Sequence, residues 1–154
     1  MLWETHILFA IVVGVYGAQK GYFEPGLLFV IFLALGALLP DIDTPKSKLG
    51  RKVRPLSDII SWLAGHRGWI HSFSGFAVAM VIVGMLSLAF AERIFLPFFA
   101  GYMSHLALDA MTKEGVALFY PFWNKKISGP IRTGSLTEKI LFAIILFAGL
   151  SIFY

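Results

Sequence analysis

Five long apolar stretches divide this chain, and they limit its possible folds more than any other feature. They occupy residues 6–18, 26–39, 72–91, 94–110 and 140–154. A membrane-spanning helix needs about 20 apolar residues, with roughly 17 as the lower limit. The third and fourth stretches reach that length, and the fifth does if it begins near Leu136. The first two must recruit flanking residues such as Trp3 and Tyr22, or else form a hairpin that dips part-way into a bilayer. The composition points the same way. The chain is 58% hydrophobic and 14% charged, against about 25% charged residues in an ordinary soluble domain. The expectation is an all-α integral membrane protein: one domain over residues 1–154, with about five transmembrane helices. The start carries no basic run before its apolar segment, so a cleavable signal peptide is not expected. There is no cysteine, which excludes disulfides and thiolate metal sites.

Charge sets an expected orientation. The short links at 19–25 and 91–93 carry Lys20 and Arg93. The long links at 40–71 and 111–135 carry ten basic residues against those two: Lys46, Lys48, Arg51, Lys52, Arg54, Arg67, Lys113, Lys125, Lys126 and Arg132. The positive-inside rule puts both long links in the cytoplasm, with the N-terminus inside and the C-terminus outside a plasma (inner) membrane. Within the first link, "PLSDIISWLAG" has Leu56, Ile59, Ile60 and Leu63 at helical spacing. It reads as a short amphipathic interfacial helix, with Ser57 as N-cap, Gly65 as its stop and Trp62 at headgroup depth. The second link, with "LFYPFWNKKISGPIR", is expected to be irregular and to lie on the membrane surface.

That topology gathers the polar groups. His6 starts the first span, Asp41 and Asp43 end the second, and His66 and His71 lead into the third. His105 and Asp109 lie near the end of the fourth, and Glu138 opens the fifth. All four histidines and four of the nine acidic residues then fall at the cytoplasmic helix ends. Ionisable groups in such positions are costly and mark functional sites. His105 and Asp109, at i and i+4, share a helix face. Asp41 and Asp43 can converge from an extended turn after Pro40. Imidazole and carboxylate donors without thiolate suit zinc, manganese or iron. The donors outnumber a single tetrahedral set, so a dinuclear centre is open. Arg67 and Arg132 are candidate anion contacts, although Arg67 can equally pair with Asp58 or lipid headgroups. "SLTE" also reads as a capping box from Ser135 to Glu138, which leaves Glu138 open between cap and ligand.

The motifs "LLPDIDTPKSKLG", "GHRGWIHS", "GYMSHLALDAMTKEGVALFYP" and "THILF" resemble those of the inner-membrane metal-dependent hydrolase family (YdjM-like). The resemblance runs from His6 to Glu138 and includes Thr112 and Gly115 of a Thr-x-x-Gly element. It implies a membrane-bound hydrolase whose metal ligands are His6, Asp41, Asp43, His66, His71, His105 and Asp109. It implies no substrate. The function expected is hydrolysis of a phosphoester in a lipid or lipid-linked substrate by metal-activated water. Asp41, Arg67 and Arg132 are the catalytic candidates and a divalent cation, zinc or manganese, is the cofactor. The partner is membrane lipid, and nucleic acid is not expected. A membrane peptidase has no H-E-x-x-H motif to support it. The alternative from another class is a non-enzymatic membrane protein that binds or transports metal. The oligomeric state is not readable.

Overall fold

The computed structural model describes residues 1–44, 47–64, 68–88 and 93–152. Among these, seven α-helices and one 3₁₀ turn follow in order. They are α1 (Trp3–Gln19), α2 (Leu27–Leu38), the 3₁₀ turn (Leu39–Asp43), α3 (Lys48–Lys52), α4 (Arg54–Ala64), α5 (Phe73–Ser87), α6 (Phe95–Ala110) and α7 (Leu136–Ser151). The all-α expectation stands, but the five spans do not. No helix among the described residues is long and apolar enough to cross a membrane. The longest, α1, has 17 residues and measures about 25 Å at 1.5 Å per residue, short of a hydrocarbon core of about 30 Å.

Local chemistry sets several of the helix ends. Gly26 precedes α2, and Pro40, which has no N–H to donate, turns its far end into the 3₁₀ segment. Ser72 caps α5 by accepting from Gly75 N. Without spans, the inside–outside assignment of the termini loses its premise. The amphipathic helix is present as α4 but starts earlier than expected. Ser57 is not its N-cap: it lies one turn inside, its N–H donating to Val53 O. Ile59 and Trp62 stand exposed.

α6 is the central element. It packs most extensively on α2, and also on α1 and α5, while α7 packs on α1. Two glycines bring α2 and α6 into backbone contact. A Cβ at Gly36 would lie 2.3 Å from Phe98 O, and one at Gly101 would lie 2.1 Å from Leu33 O. No side chain larger than hydrogen fits at either place. Phe98, Tyr102 and Leu106 of α6 meet Met80 and Val83 of α5 in one cluster, with Tyr102 edge-on to Phe76. Ala100 meets Ala10, Phe29, Leu33 and Ala37 in a second.

The segment between α6 and α7 is tied down rather than loose. Val116 and Ile127 exchange two backbone hydrogen bonds, and Ser74 Oγ donates to Tyr120 O. Thr112 and Gly115 form the turn after α6: Thr112 Oγ1 donates to Asp109 O and accepts from Gly115 N. Gly115 has φ +62°, and a Cβ there would meet Ile127 O at 2.5 Å. Large apolar side chains remain exposed, among them Val81, Met85 and Leu88 at α5 and Ile144, Phe147 and Leu150 on α7. A monomer in water rarely shows that much apolar surface.

Candidate metal centre

The close α2–α6 contact is what builds the site. It places the Ala37 carbonyl of α2 at 2.7 Å from His105 Nδ1. A carbonyl only accepts, so Nδ1 carries the proton and Nε2 of His105 is left with its lone pair. His71 is fixed in the same sense. Its Nδ1 donates to Asp43 Oδ2 at 3.0 Å, and Asp43 Oδ1 accepts from Thr44 Oγ1. Tyr102 Oη donates to Ile70 O, which steadies the backbone just before His71. The two remaining lone pairs face each other, His71 Nε2 to His105 Nε2 at 3.3 Å. Two bare imine nitrogens repel at that distance unless a proton or a cation stands between them.

Asp109 closes the figure. Its Oδ2 lies 3.6 Å from His71 Nε2 and 3.7 Å from His105 Nε2. The centre of a triangle with these sides is about 2.0–2.1 Å from each corner, the usual length of a zinc–imidazole bond. The carboxylate of Asp41 completes a group with His71 and His105 in which the donor atoms lie within 4.8 Å of one another. His6, His105 and Asp109 form a second such group. The His6 ring stacks on that of His105, and its Nε2 lies 3.3 Å from Asp109 Oδ1 without hydrogen-bond geometry. Neither ring nitrogen of His6 has a hydrogen-bond partner among the described residues, although the side chain is fully buried. The α-amino group of Met1 lies 2.6 Å from Asp109 Oδ1. This donor set fits a divalent cation.

The electrostatics follow from this crowding. Burial, with the His105 charge beside it, pushes the His6 imidazole down to about 3. Burial also opposes charge on His105, but the close Asp109 carboxylate and then Asp41 outweigh it, and the imidazole is raised above its ordinary value. Asp109 is held well below the usual carboxylate range: burial works against ionisation, and contacts with His105 and His6 win.

His6, Asp41, His71, His105 and Asp109 thus come together. Asp43 sits behind His71, on the far edge of the ring. The expected convergence of Asp41 and Asp43 from an extended turn gives way to divergence. They occupy a 3₁₀ turn, where residues two apart point about 120° from each other. Glu138 lies outside both groups. Its Oε1 accepts from Leu2 N and Thr5 Oγ1, and its Oε2 from Gly134 N. It clamps the start of α1 to the segment before α7. Ser135 makes no side-chain cap bond, so only the return arm of the capping box forms, and onto Gly134 instead. Arg132 is exposed. His66 and Arg67 lie outside the described residues. Sequence reasoning missed the Ala37 carbonyl, Tyr102 and Thr5. The glycines in "LGALL" and "FFAGY" were the available signal for the first, since glycine inside a helical pattern marks close packing.

The family model described as YdjM inner membrane protein matches residues 1–153. The chain belongs to the YdjM family. YvsG of Bacillus subtilis (strain 168) is 32% identical over 162 residues, covering 100% of this chain and 95% of that protein. Inner membrane protein YdjM of Escherichia coli (strain K12) is 35% identical over 130 residues, covering 77% of this chain and 64% of its own length. The Shigella flexneri protein of the same name matches equally. This YdjM-family chain therefore spans just under two thirds of those two relatives. The family description and the relatives' name support a membrane location. No solved structure matches.

Proposed function

We propose that this protein is a metal-dependent hydrolase working at the membrane, with a phosphoester of a lipid or lipid-linked substrate as its target. The observation that carries the reading is the 3.3 Å approach of His71 Nε2 to His105 Nε2, each made an acceptor by the partner of its other nitrogen. Asp109 and Asp41 supply the anionic donors. Asp43 and the Ala37 carbonyl hold the two rings in their metal-binding tautomers, as second partners of ligating histidines do. A bound zinc or manganese ion would activate water near neutral pH and offset negative charge on a phosphoryl oxygen.

The chain's own groups divide the remaining work. Asp41 is 9% exposed while His6, His71, His105 and Asp109 have no exposure, so it is the member placed to meet water and accept its proton. Arg132, which is exposed, is the guanidinium we assign to the phosphate. The apolar surface left on α5 and α7 favours a lipid substrate over a soluble one.

The test begins with protein purified in detergent. Wild type should hold stoichiometric divalent metal, His105→Ala and His71→Ala should lose it, and the loaded protein should release phosphate or headgroup from a panel of phospholipids and lipid diphosphates. Absence of metal from wild type, or equal retention by the variants, defeats the metal reading. Metal without turnover on any member of the panel defeats the hydrolase.

A further inference from the structure

Resting on that cation-binding reading, we propose that Asp109 bridges two cation positions, the second of them served by His6. An imidazole nitrogen donates its lone pair in the plane of its ring, so a cation bound there lies near that plane. The His6 and His105 rings are stacked, with centroids 3.9 Å apart and planes 9° from parallel. Their lone pairs lie in separate, nearly parallel planes, and a single cation does not lie in both. His6, His105 and Asp109 are close enough to share one ion, but the orientation of the rings forbids it.

The rest of the geometry divides the donors. His105 Nε2 faces His71 Nε2 and belongs to the first position. His105 cannot bridge through its other nitrogen, which is committed to Ala37 O. His6 then remains as a buried imidazole with no hydrogen bond to either nitrogen among the described residues. Asp109 is the group that reaches both sides, Oδ2 toward His71 and His105 and Oδ1 toward His6. The positions are unequal. The first has three protein donors, with Asp41 beside them. The second has two, and its Oδ1 is already engaged by the Met1 nitrogen. The first fills before the second. Carboxylate-bridged pairs of this kind place their ions about 3.5–4 Å apart, close enough for magnetic coupling.

The experiment uses the full chain in detergent, stripped with chelator and titrated with Mn²⁺ alone. Bound metal is counted and its electron paramagnetic resonance spectrum recorded. Wild type should take up two manganese ions in successive steps, and the second should convert the isolated-ion spectrum into that of a coupled pair. His6→Gln, with its helical content checked by circular dichroism, should keep the tight step and lose both the second ion and the coupling. Saturation of wild type at one uncoupled ion overturns this proposal and leaves the cation-binding reading intact. A coupled pair persisting in His6→Gln overturns it as well. No bound manganese at all overturns both. The wild-type count decides the matter even if a variant misfolds.

Discussion

Gly101→Ala tests whether the α2–α6 contact builds the metal centre. The added Cβ would sit 2.1 Å from Leu33 O and 2.8 Å from Ala37 N. Ordinary carbon contacts need about 3.4 Å or more, so the helices must separate by about 1.3 Å. The His105 Nδ1–Ala37 O bond starts at 2.7 Å, and that separation carries it to about 4 Å, beyond hydrogen-bond range. His105 then loses the partner that fixes its tautomer. Overpacking of this kind costs about 1–3 kcal/mol of stability, and losing the second partner of a ligating histidine costs about 10–100-fold in metal affinity. Gly84→Ala is the internal control, because its Cβ would meet the Phe95 ring at an ordinary 3.7 Å. Thermal unfolding and Co²⁺ titration of both variants in detergent read the two effects. If Gly101→Ala matches Gly84→Ala in melting temperature and binds Co²⁺ like wild type, the reasoning is refuted.

Asp43→Asn leaves His71 Nδ1 with a weaker acceptor and should lower Co²⁺ affinity by about 10–100-fold with little change in fold; an unchanged titration would show that Asp43 does not orient His71. Glu138→Ala removes the acceptor of Leu2 N, Gly134 N and the buried Thr5 hydroxyl, and should cost about 1–3 kcal/mol, read as a lowered melting temperature. The pH behaviour has two parts, resting on pKa shifts of opposite sign. The Asp109 carboxylate raises His105 above its ordinary value in the cation-free fold, so an incoming cation competes with a proton for the Nε2 lone pair. Calorimetry in two buffers of different ionisation enthalpy should show net proton release on binding the first cation, and affinity should climb with pH until the folded His105 value is passed. His6, by contrast, falls from 6.5 to about 3 on folding. Between those limits the unfolded chain binds a proton that the folded one refuses, so stability of the cation-free protein drops as pH falls through that window. A melting temperature flat from pH 6.5 to 4 would contradict it.

The membership of the polar cluster was legible from residue type and spacing. His105 and Asp109 share a face of α6 because i and i+4 always do, and His6, Asp41 and His71 fall at element ends near it. The apolar stretches also located the helices to within a few residues, as Trp3–Gln19 against 6–18 and Phe95–Ala110 against 94–110 show; the local causes of their ends were not legible. A hydropathy run reports which residues avoid water, whereas a helix ends where its backbone bonds do, at Gly26, at Pro40 and at the Ser72 cap. In the stretch at 72–91 the described residues are helical over Phe73–Ser87, where the Ser72 cap sets the start. The divergence of Asp41 and Asp43 was hidden for the same reason, since it depends on the 3₁₀ geometry and not on composition. The tautomer of His105 rests on a main-chain oxygen, which no side-chain pattern reports. Glu138 had the right spacing for a cap and the right chemistry for a ligand. Its partners at Leu2 and Thr5 lie far away in sequence, where local pattern carries no information.

Those distant partners also join the two ends of the chain. The bonds from Glu138 to Leu2 and Thr5 close separations of 136 and 133 residues, so the start of α7 grips the first turn of a helix that α2 and α6 already hold by packing. His6 is one residue from Thr5 and stacks on His105. A change near the far end of the chain therefore reaches the earliest histidine through a single carboxylate, that of Glu138.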